Sequence, residues 1–424
     1  MIERRSEHEK ALLVGIYRGR GGREAAEKAL RELDLLTRTA GGEVAEQVLQ
    51  EKRALDPRTM IGKGKAEEVG FLCREKGVDL VIFDEDLSPA QARNLEDLTG
   101  VRVIDRSQLI LDIFAQGART AVAKAQVELA QLEYTLPRLT GMWEHLSRTG
   151  GGIGTRGPGE TQLEVDRRRI RRRIFTLKKV LKKIEQDRIV RTHRAEDVLR
   201  ASLVGYTNTG KSTLFNLLTR ASVATGDKLF ETLDTTTRLL RLPSKERLLL
   251  SDTVGFIRKL PHHLVASFHA TLESVIEADV VIHVADLSHP DHESQIETVR
   301  SVLAEIGAGK RPEILVLNKA DLVRDESIVR AARRVHEGSI LVSAFRSWGI
   351  EELEARLLDF AVRDKMEVAL MIPDTDGSVL PYVRRYGTIL GTEAVRGKTL
   401  LRVRIARRYL RPLEEYIEPE ASKA

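Results

Sequence analysis

The residues best placed to do chemistry are Gly205, Tyr206, Thr207, Asn208, Thr209, Gly210, Lys211 and Ser212. They match G-x-x-x-x-G-K-[ST], with the apolar run 201–204 (ASLV) before them and a helical pattern over 213–218 after them. Glycines let successive backbone N–H groups curl around phosphate oxygens with no Cβ in the way. A helix N-terminus adds partial positive charge at the same point. In such a loop Lys211 is expected to reach the β- and γ-phosphates, and Ser212 to offer its hydroxyl to Mg²⁺.

Three short motifs follow in the order that a nucleotide switch requires. Asp252-Thr253-Val254-Gly255 succeeds the apolar run 248–250, where an Asp at a strand end can hold Mg²⁺ through water and the Gly N–H can sense a γ-phosphate. Asn318-Lys319-Ala320-Asp321 succeeds 314–317 (ILVL). The Asp321 carboxylate can accept from guanine N1–H and N2–H₂; adenine offers no such pair and would leave a buried carboxylate unsatisfied. GTP is therefore expected over ATP. Ser343-Ala344, after 340–342 (ILV), can place a backbone N–H near guanine O6. Four elements in register leave little room for coincidence.

A switch loop should also bring a threonine to Mg²⁺. The candidate is Phe230-Glu231-Thr232-Leu233-Asp234-Thr235-Thr236-Thr237-Arg238, whose four threonines spacing does not separate. Phe256 follows the second motif, and a phenyl ring cannot orient water by hydrogen bonding. Help with hydrolysis must come from a partner, another switch residue or a monovalent cation, so unassisted turnover should be slow.

Strands and helices must hold these loops in place. Residues 197–365 alternate short apolar runs with helical patterns, as a P-loop GTPase domain does. Residues 1–112 show the same alternation, with strands expected at 11–17, 80–83 and 101–104 and helices at 25–35 and 90–98, a small parallel α/β domain. Within 113–196, Val122, Ala125, Leu129, Leu132 and Leu136 share one helical face; Ile170, Ile174, Leu177, Leu181 and Ile184 share another. Pro137 and a glycine-rich stretch (150–159) separate the two stripes, so an antiparallel helical hairpin with a glycine-rich tip is expected. Residues 366–424 form a small C-terminal α+β domain, where 400–405 alternates like a half-buried strand. The fold class is thus α/β.

Composition sets bounds on the rest. The 424 residues are 42% hydrophobic but only 4% aromatic, so the cores must be built from Leu, Val, Ile and Ala. Net charge is +6, too small to mark a nucleic-acid binder by itself. The single cysteine, Cys73, cannot form an intramolecular disulfide and suits a reducing cytoplasm. No stretch approaches a membrane span and the N-terminus lacks a signal-peptide pattern, so a soluble cytoplasmic protein is expected, and a monomer.

The sequence resembles the HflX family of translational GTPases. G-Y-T-N-x-G-K-S-T-L-F-N over 205–216 and F-x-T-L-D over 230–234 are similar to the family's phosphate loop and first switch. G-G-G-I-G-T-R-G-P-G-E-T-Q-L-E-x-D-R-R over 150–168 and D-P-R-T-M-I-G-K-G-K over 56–65 resemble its more distinctive upstream motifs. Thr235 stands where the family usually has Pro, and Thr209 where it usually has Ala. The resemblance implies Mg²⁺·GTP bound through 205–212, 230–234, 252–255, 318–321 and 343–344, with Ser212 and Thr232 as metal ligands. Asn208 resembles GTPases that take K⁺ in place of an arginine finger. The implied partner is the large (50S) ribosomal subunit, with a role in splitting or rescuing stalled or idle ribosomes under stress.

Local charge fits an RNA partner. Residues 166–173 read D-R-R-R-I-R-R-R, six arginines around one Ile, and Lys178, Lys179, Lys182 and Lys183 continue the basic surface. Arg156, Arg167, Arg168, Arg169, Arg171 and Arg172 are the candidate RNA contacts, since such density neutralises phosphates and releases counterions. Arginines and lysines from Arg384 to Arg411 form a second, weaker basic surface. Gly62-Lys63-Gly64-Lys65 lacks phosphate-loop spacing and suggests a helix N-terminus or an RNA contact. His262, His263 and His269 are expected at the surface, since nothing completes a metal site. The alternative function is a GTP-regulated RNA-modification or ribosome-assembly factor, although 1–112 holds no nucleophile–base pair.

Overall fold

The computed structural model describes residues 9–139, 158–192, 198–221, 229–230, 235–259, 269–395 and 397–418. They form two compact units. The first holds the described residues up to 187 with Leu229, Phe230, Lys259, His269 and Ala270; the second holds the rest.

The first unit opens with β1 (Lys10–Tyr17), α1 (Gly19–Thr39), β2 (Glu43–Glu51), α2 (Lys63–Lys76), β3 (Leu80–Phe83), α3 (Pro89–Thr99), β4 (Arg102–Asp105) and α4 (Arg106–Gly117). Its four strands are all parallel, in the order β2-β1-β3-β4. A parallel strand covered on both faces must be apolar throughout, and Leu80, Val81, Ile82 and Phe83 are all buried. Strand β2 escaped the sequence reading. It is an edge strand, E-V-A-E-Q-V-L-Q-E, with only Val48 buried, so its glutamates hide the strand pattern. β4 runs one residue later than expected, because Val101 precedes it and Asp105 closes it. Asp105 then caps α4, its carboxylate accepting from the Gln108 N–H. Gly62, at φ +83°, caps α2, so the G-K-G-K stretch is a helix N-terminus. Cys73 is buried in this core, and burial pushes its thiol up to about 11.

Next come α5 (Ala121–Thr135) and α6 (Pro158–Thr192). The expected stripe on α5 needs correction. Ala123, Gln126, Val127, Ala130 and Tyr134 are its buried face with Leu129, whereas Val122, Ala125, Leu132 and Leu136 are only half-buried. The reason is that α5 packs on α4, which turns a different face inward. Leu136 and Pro137 belong to a 3₁₀ turn that ends the helix. On α6 the expected stripe is the shielded one, with Leu177 buried and Ile170, Ile174, Leu181 and Ile184 half-buried. Arg173 grips Glu128 through two bonds of 2.6 and 2.7 Å, and Lys178 pairs with Glu133 at 2.8 Å, tying α6 to α5. The tip, 150–157, lies outside the described residues.

The second unit contains β5 (Leu199–Val204), α7 (Lys211–Thr219), β6 (Thr236–Arg241), β7 (Arg247–Asp252), α8 (His269–Ile276), β8 (Val280–Asp286), α9 (His292–Glu305), β9 (Glu313–Asn318), α10 (Glu326–Val335), β10 (Ile340–Leu341) and α11 (Ile350–Val362). The first two residues of α8 fall in the first unit. The sheet order is β10-β9-β8-β5-β7-β6, parallel except for β6, which runs antiparallel on β7. Every residue of β8 is buried, consistent with its central place. β11 (Lys365–Pro373), α12 (Val379–Tyr386), β12 (Gly387–Val395) and β13 (Lys398–Ala406) follow as an antiparallel sheet ordered β11-β13-β12. In β13, Leu401, Val403 and Ile405 are buried and Arg402 is exposed, which matches the expected alternation. Glu246, 1% exposed, sits between Lys365 at 2.8 Å and Arg404 at 3.3 Å and locks β13 to the turn before β7.

Candidate functional site

The four motifs gather at the C-terminal ends of β5, β7, β9 and β10, where an open parallel sheet presents its loops. Residues 205–210 bridge β5 and α7. The backbone allows little else there: Gly205 lies at φ +153°, where a Cβ would fall 2.1 Å from the Val284 carbonyl oxygen. Gly210 lies at φ +89°, and a Cβ would fall 2.3 Å from Asn318 Nδ2. Asn208 is exposed and also left-handed, at φ +60°. The Thr209 hydroxyl donates to the Tyr206 carbonyl at 3.0 Å.

Phe256 has a place that its sequence position did not reveal. It is 1% exposed; its N–H donates to the Gly205 carbonyl at 3.0 Å, and its carbonyl accepts from Thr207 N–H at 2.8 Å. The residue after D-x-x-G is therefore a core clamp on the phosphate loop. Thr253, buried, donates its hydroxyl to the Leu203 carbonyl at 2.6 Å; Val254 is buried beside it. Gly255 passes so close to Thr207 and Lys211 that no side chain fits between them.

Lys211 opens α7 and is buried, donating to the carbonyls of Gly205 at 3.2 Å and Tyr206 at 2.7 Å. Burial pushes its ammonium down to about 8, against the opposing pull of Asp252. The Ser212 hydroxyl donates to Asp252 Oδ2 at 2.7 Å. A hydroxyl and a carboxylate oxygen at that spacing form a hard-oxygen pair of the type Mg²⁺ takes.

On the far side of the loop, Asn318 joins three elements. Its amide donates to the Thr209 carbonyl at 2.8 Å and its Oδ1 accepts from Ala344 N–H at 3.0 Å. Lys319, at φ +59°, pairs with Asp286 Oδ2 at 2.7 Å, and Ala320 N–H donates to the Val342 carbonyl at 3.2 Å. The Asp321 side chain is 8% exposed, with Arg346 3.7 Å away. The Ser343 hydroxyl accepts from Arg346 N–H at 3.1 Å. Asp286 is the bracing residue that motif spacing missed; it ends β8, the one sheet neighbour of β5 that carries no motif.

The first switch is narrowed rather than completed. Thr236 and Thr237 lie in β6, and the Thr237 hydroxyl bonds Ser251 Oγ at 2.9 Å. Glu231, Thr232, Leu233 and Asp234 lie outside the described residues, as do Arg156, His262 and His263. Phe230 belongs to the first unit, buried with its ring edge-on to Phe114 at 4.7 Å. Lys259 belongs there too, bonded to Asp84 at 2.6 Å and Glu85 at 2.7 Å. Arg167, Arg168, Arg169, Arg171 and Arg172 all lie on α6.

Residues 27–115 match the family model described as GTP-binding GTPase N-terminal, 117–195 the GTP-binding GTPase Middle Region, and 200–319 the 50S ribosome-binding GTPase. GTPase HflX of Magnetococcus marinus is 42% identical over 425 aligned residues, covering 99% of this chain and 98% of the relative. The chain belongs to the HflX family of GTPases. GTPase HflX of Flavobacterium psychrophilum is 46% identical over 76% of this chain and 77% of its own length. A crystal structure of a GTP-binding protein from Sulfolobus solfataricus in complex with GDP is 25% identical, with a TM-score of 0.42, covering 84% of this chain and 99% of that one. As an HflX GTPase, the chain hydrolyses GTP. Among the described residues no helix is long and apolar enough to cross a membrane.

Proposed function

We propose that this GTPase uses its nucleotide cycle to engage the large (50S) ribosomal subunit in the cytoplasm, and that it splits or rescues stalled or idle ribosomes under stress. The observation that carries the partner is the basic face of α6, where Arg168, Arg171 and Arg172 are exposed on the side of the helix opposite the shielded stripe. Such a face binds phosphates strongly and with marked salt dependence. The 50S ribosome-binding GTPase model over 200–319 supports the same reading.

In the cycle, residues 205–212 cradle the phosphates and Lys211 neutralises the β- and γ-oxygens. Asp321 selects guanine and Ala344 N–H meets its O6. Ser212 and Thr232 would hold Mg²⁺, with Asp252 holding it through water, and the bound metal would screen the phosphate charge. The 2.7 Å pairing of Ser212 with Asp252 suits that donor set. Asn208, exposed on the loop, would help hold K⁺, whose positive charge would take the place of an arginine finger. GTP orders the switches and hydrolysis relaxes them. We assign 1–112 and the hairpin 113–196 to ribosome binding, 197–365 to the switch and 366–424 to a small accessory domain, acting as a monomer.

The test is co-sedimentation with purified large subunits, with a non-hydrolysable GTP analogue or with GDP, at rising salt. Pelleting with the analogue, lost steeply as salt rises, is expected. Failure to pellet in either state would refute the partner.

A further inference from the structure

Helix α6 carries an exposed phenylalanine in the middle of its basic face. At about 100° per residue, Ile170, Ile174, Leu177, Leu181 and Ile184 gather on one side, the side that is shielded. Arg168, Arg171, Arg172, Lys179 and Lys182 all fall within about 60° of Phe175 on the opposite side. Phe175 is 72% exposed and the five cations around it are exposed as well. Lys178, also about 60° from Phe175, and Arg173, nearer the shielded side, spend their charge on Glu133 and Glu128. Among the described residues no carboxylate pairs with the five outer cations. Glu164 and Arg167 lie beside this face on the same helix.

A ring held in water gains nothing from the fold, since the helix packs through its other side. Phosphate binding alone would need only the charges. A flat apolar surface set among guanidinium groups fits a ligand with both an anionic backbone and exposed π-faces, which is RNA with unpaired bases. A base inside a regular duplex is already stacked on its neighbours and offers no free face. We infer that Phe175 is a stacking platform for an unpaired RNA base, with Arg168, Arg171, Arg172 and Lys179 gripping the flanking phosphates. This rests on the ribosomal reading above and sharpens it: the arm is directed to single-stranded or bulged RNA.

The test uses the full chain, a fluorescently labelled single-stranded RNA oligomer, the same oligomer in a duplex, and purified large subunits. The wild type should bind the single strand more tightly than the duplex. F175A should weaken single-strand binding about tenfold while its duplex binding, salt slope and GTP turnover stay unchanged. F175W should retain binding and lose fluorescence when the oligomer is added. R168A/R172A should instead weaken both RNAs and flatten the single-strand salt slope by about 1.4. F175A binding the single strand like wild type, or a wild type that prefers duplex, would overturn the inference. So would weakened subunit binding with unchanged oligomer binding, because the ring would then meet a ribosomal protein. A wild type that binds neither oligomer nor subunit would overturn the ribosomal reading itself.

Discussion

The Ser212 hydroxyl donates to Asp252 across 2.7 Å, joining the last residue of the phosphate loop to the first residue of the next motif. Two chain segments far apart in sequence thus present one oxygen pair at the ends of neighbouring strands β5 and β7. Ser212→Ala removes one of those oxygens. GTP turnover should fall about 10²-fold or more while the thermal melt barely moves. A titration of turnover against Mg²⁺ checks this, and Asp252→Asn should shift the same curve.

Gly210 cannot be replaced quietly. Its φ of +89° and the 2.3 Å approach of a new Cβ to Asn318 Nδ2 mean that alanine must displace the amide bracing Thr209 and Ala344. Gly210→Ala should lower stability by about 1–3 kcal/mol and weaken GDP binding. Gly21→Ala, on the exposed surface of α1 with open space around it, is the control and should be neutral or slightly stabilising. Paired melts with and without GDP separate the two effects.

Lys211 makes nucleotide affinity depend on pH. Its folded-state pKa of about 8 lies below the ordinary 10.5, so between these values the unfolded chain holds the extra proton. Stability of the free protein should therefore rise with pH over that window. Nucleotide phosphates need the ammonium, so GDP affinity should fall as pH passes about 8. Lys211→Met should bind GDP weakly at every pH and lose both trends in calorimetric titrations.

Asp321 should set the choice of base. Asn in its place accepts one hydrogen bond and donates another, which mismatches the two donors of guanine. Asp321→Asn is expected to lose about 10²-fold or more in GTP affinity and to gain xanthosine triphosphate, whose 2-oxo group accepts from the new amide. Competition binding between the two nucleotides decides it.

Most of the nucleotide site was legible in the sequence because phosphate and guanine chemistry fix residue types at fixed spacings. Gly205 to Ser212 could be placed on a strand–loop–helix before any coordinates. What stayed hidden depends on contacts that spacing does not encode. Phe256 reads as a missing catalytic glutamine, but its backbone closes the loop from within the core. Asp286 braces Lys319 from a strand without a motif. Strand β2 was missed because an edge needs little burial, and the face of α5 was misjudged because its partner is α4. Phe175 carries no signal in the sequence pattern, because its side of α6 shows no apolar period; its meaning comes from exposure among arginines.

GTP turnover in K⁺ buffer, with and without purified large ribosomal subunits, tests the ribosomal partner most sharply. Turnover alone should be slow, because Phe256 cannot orient water, and the subunits should stimulate it strongly. Unchanged turnover with subunits present, with GTP bound normally, would contradict that partner.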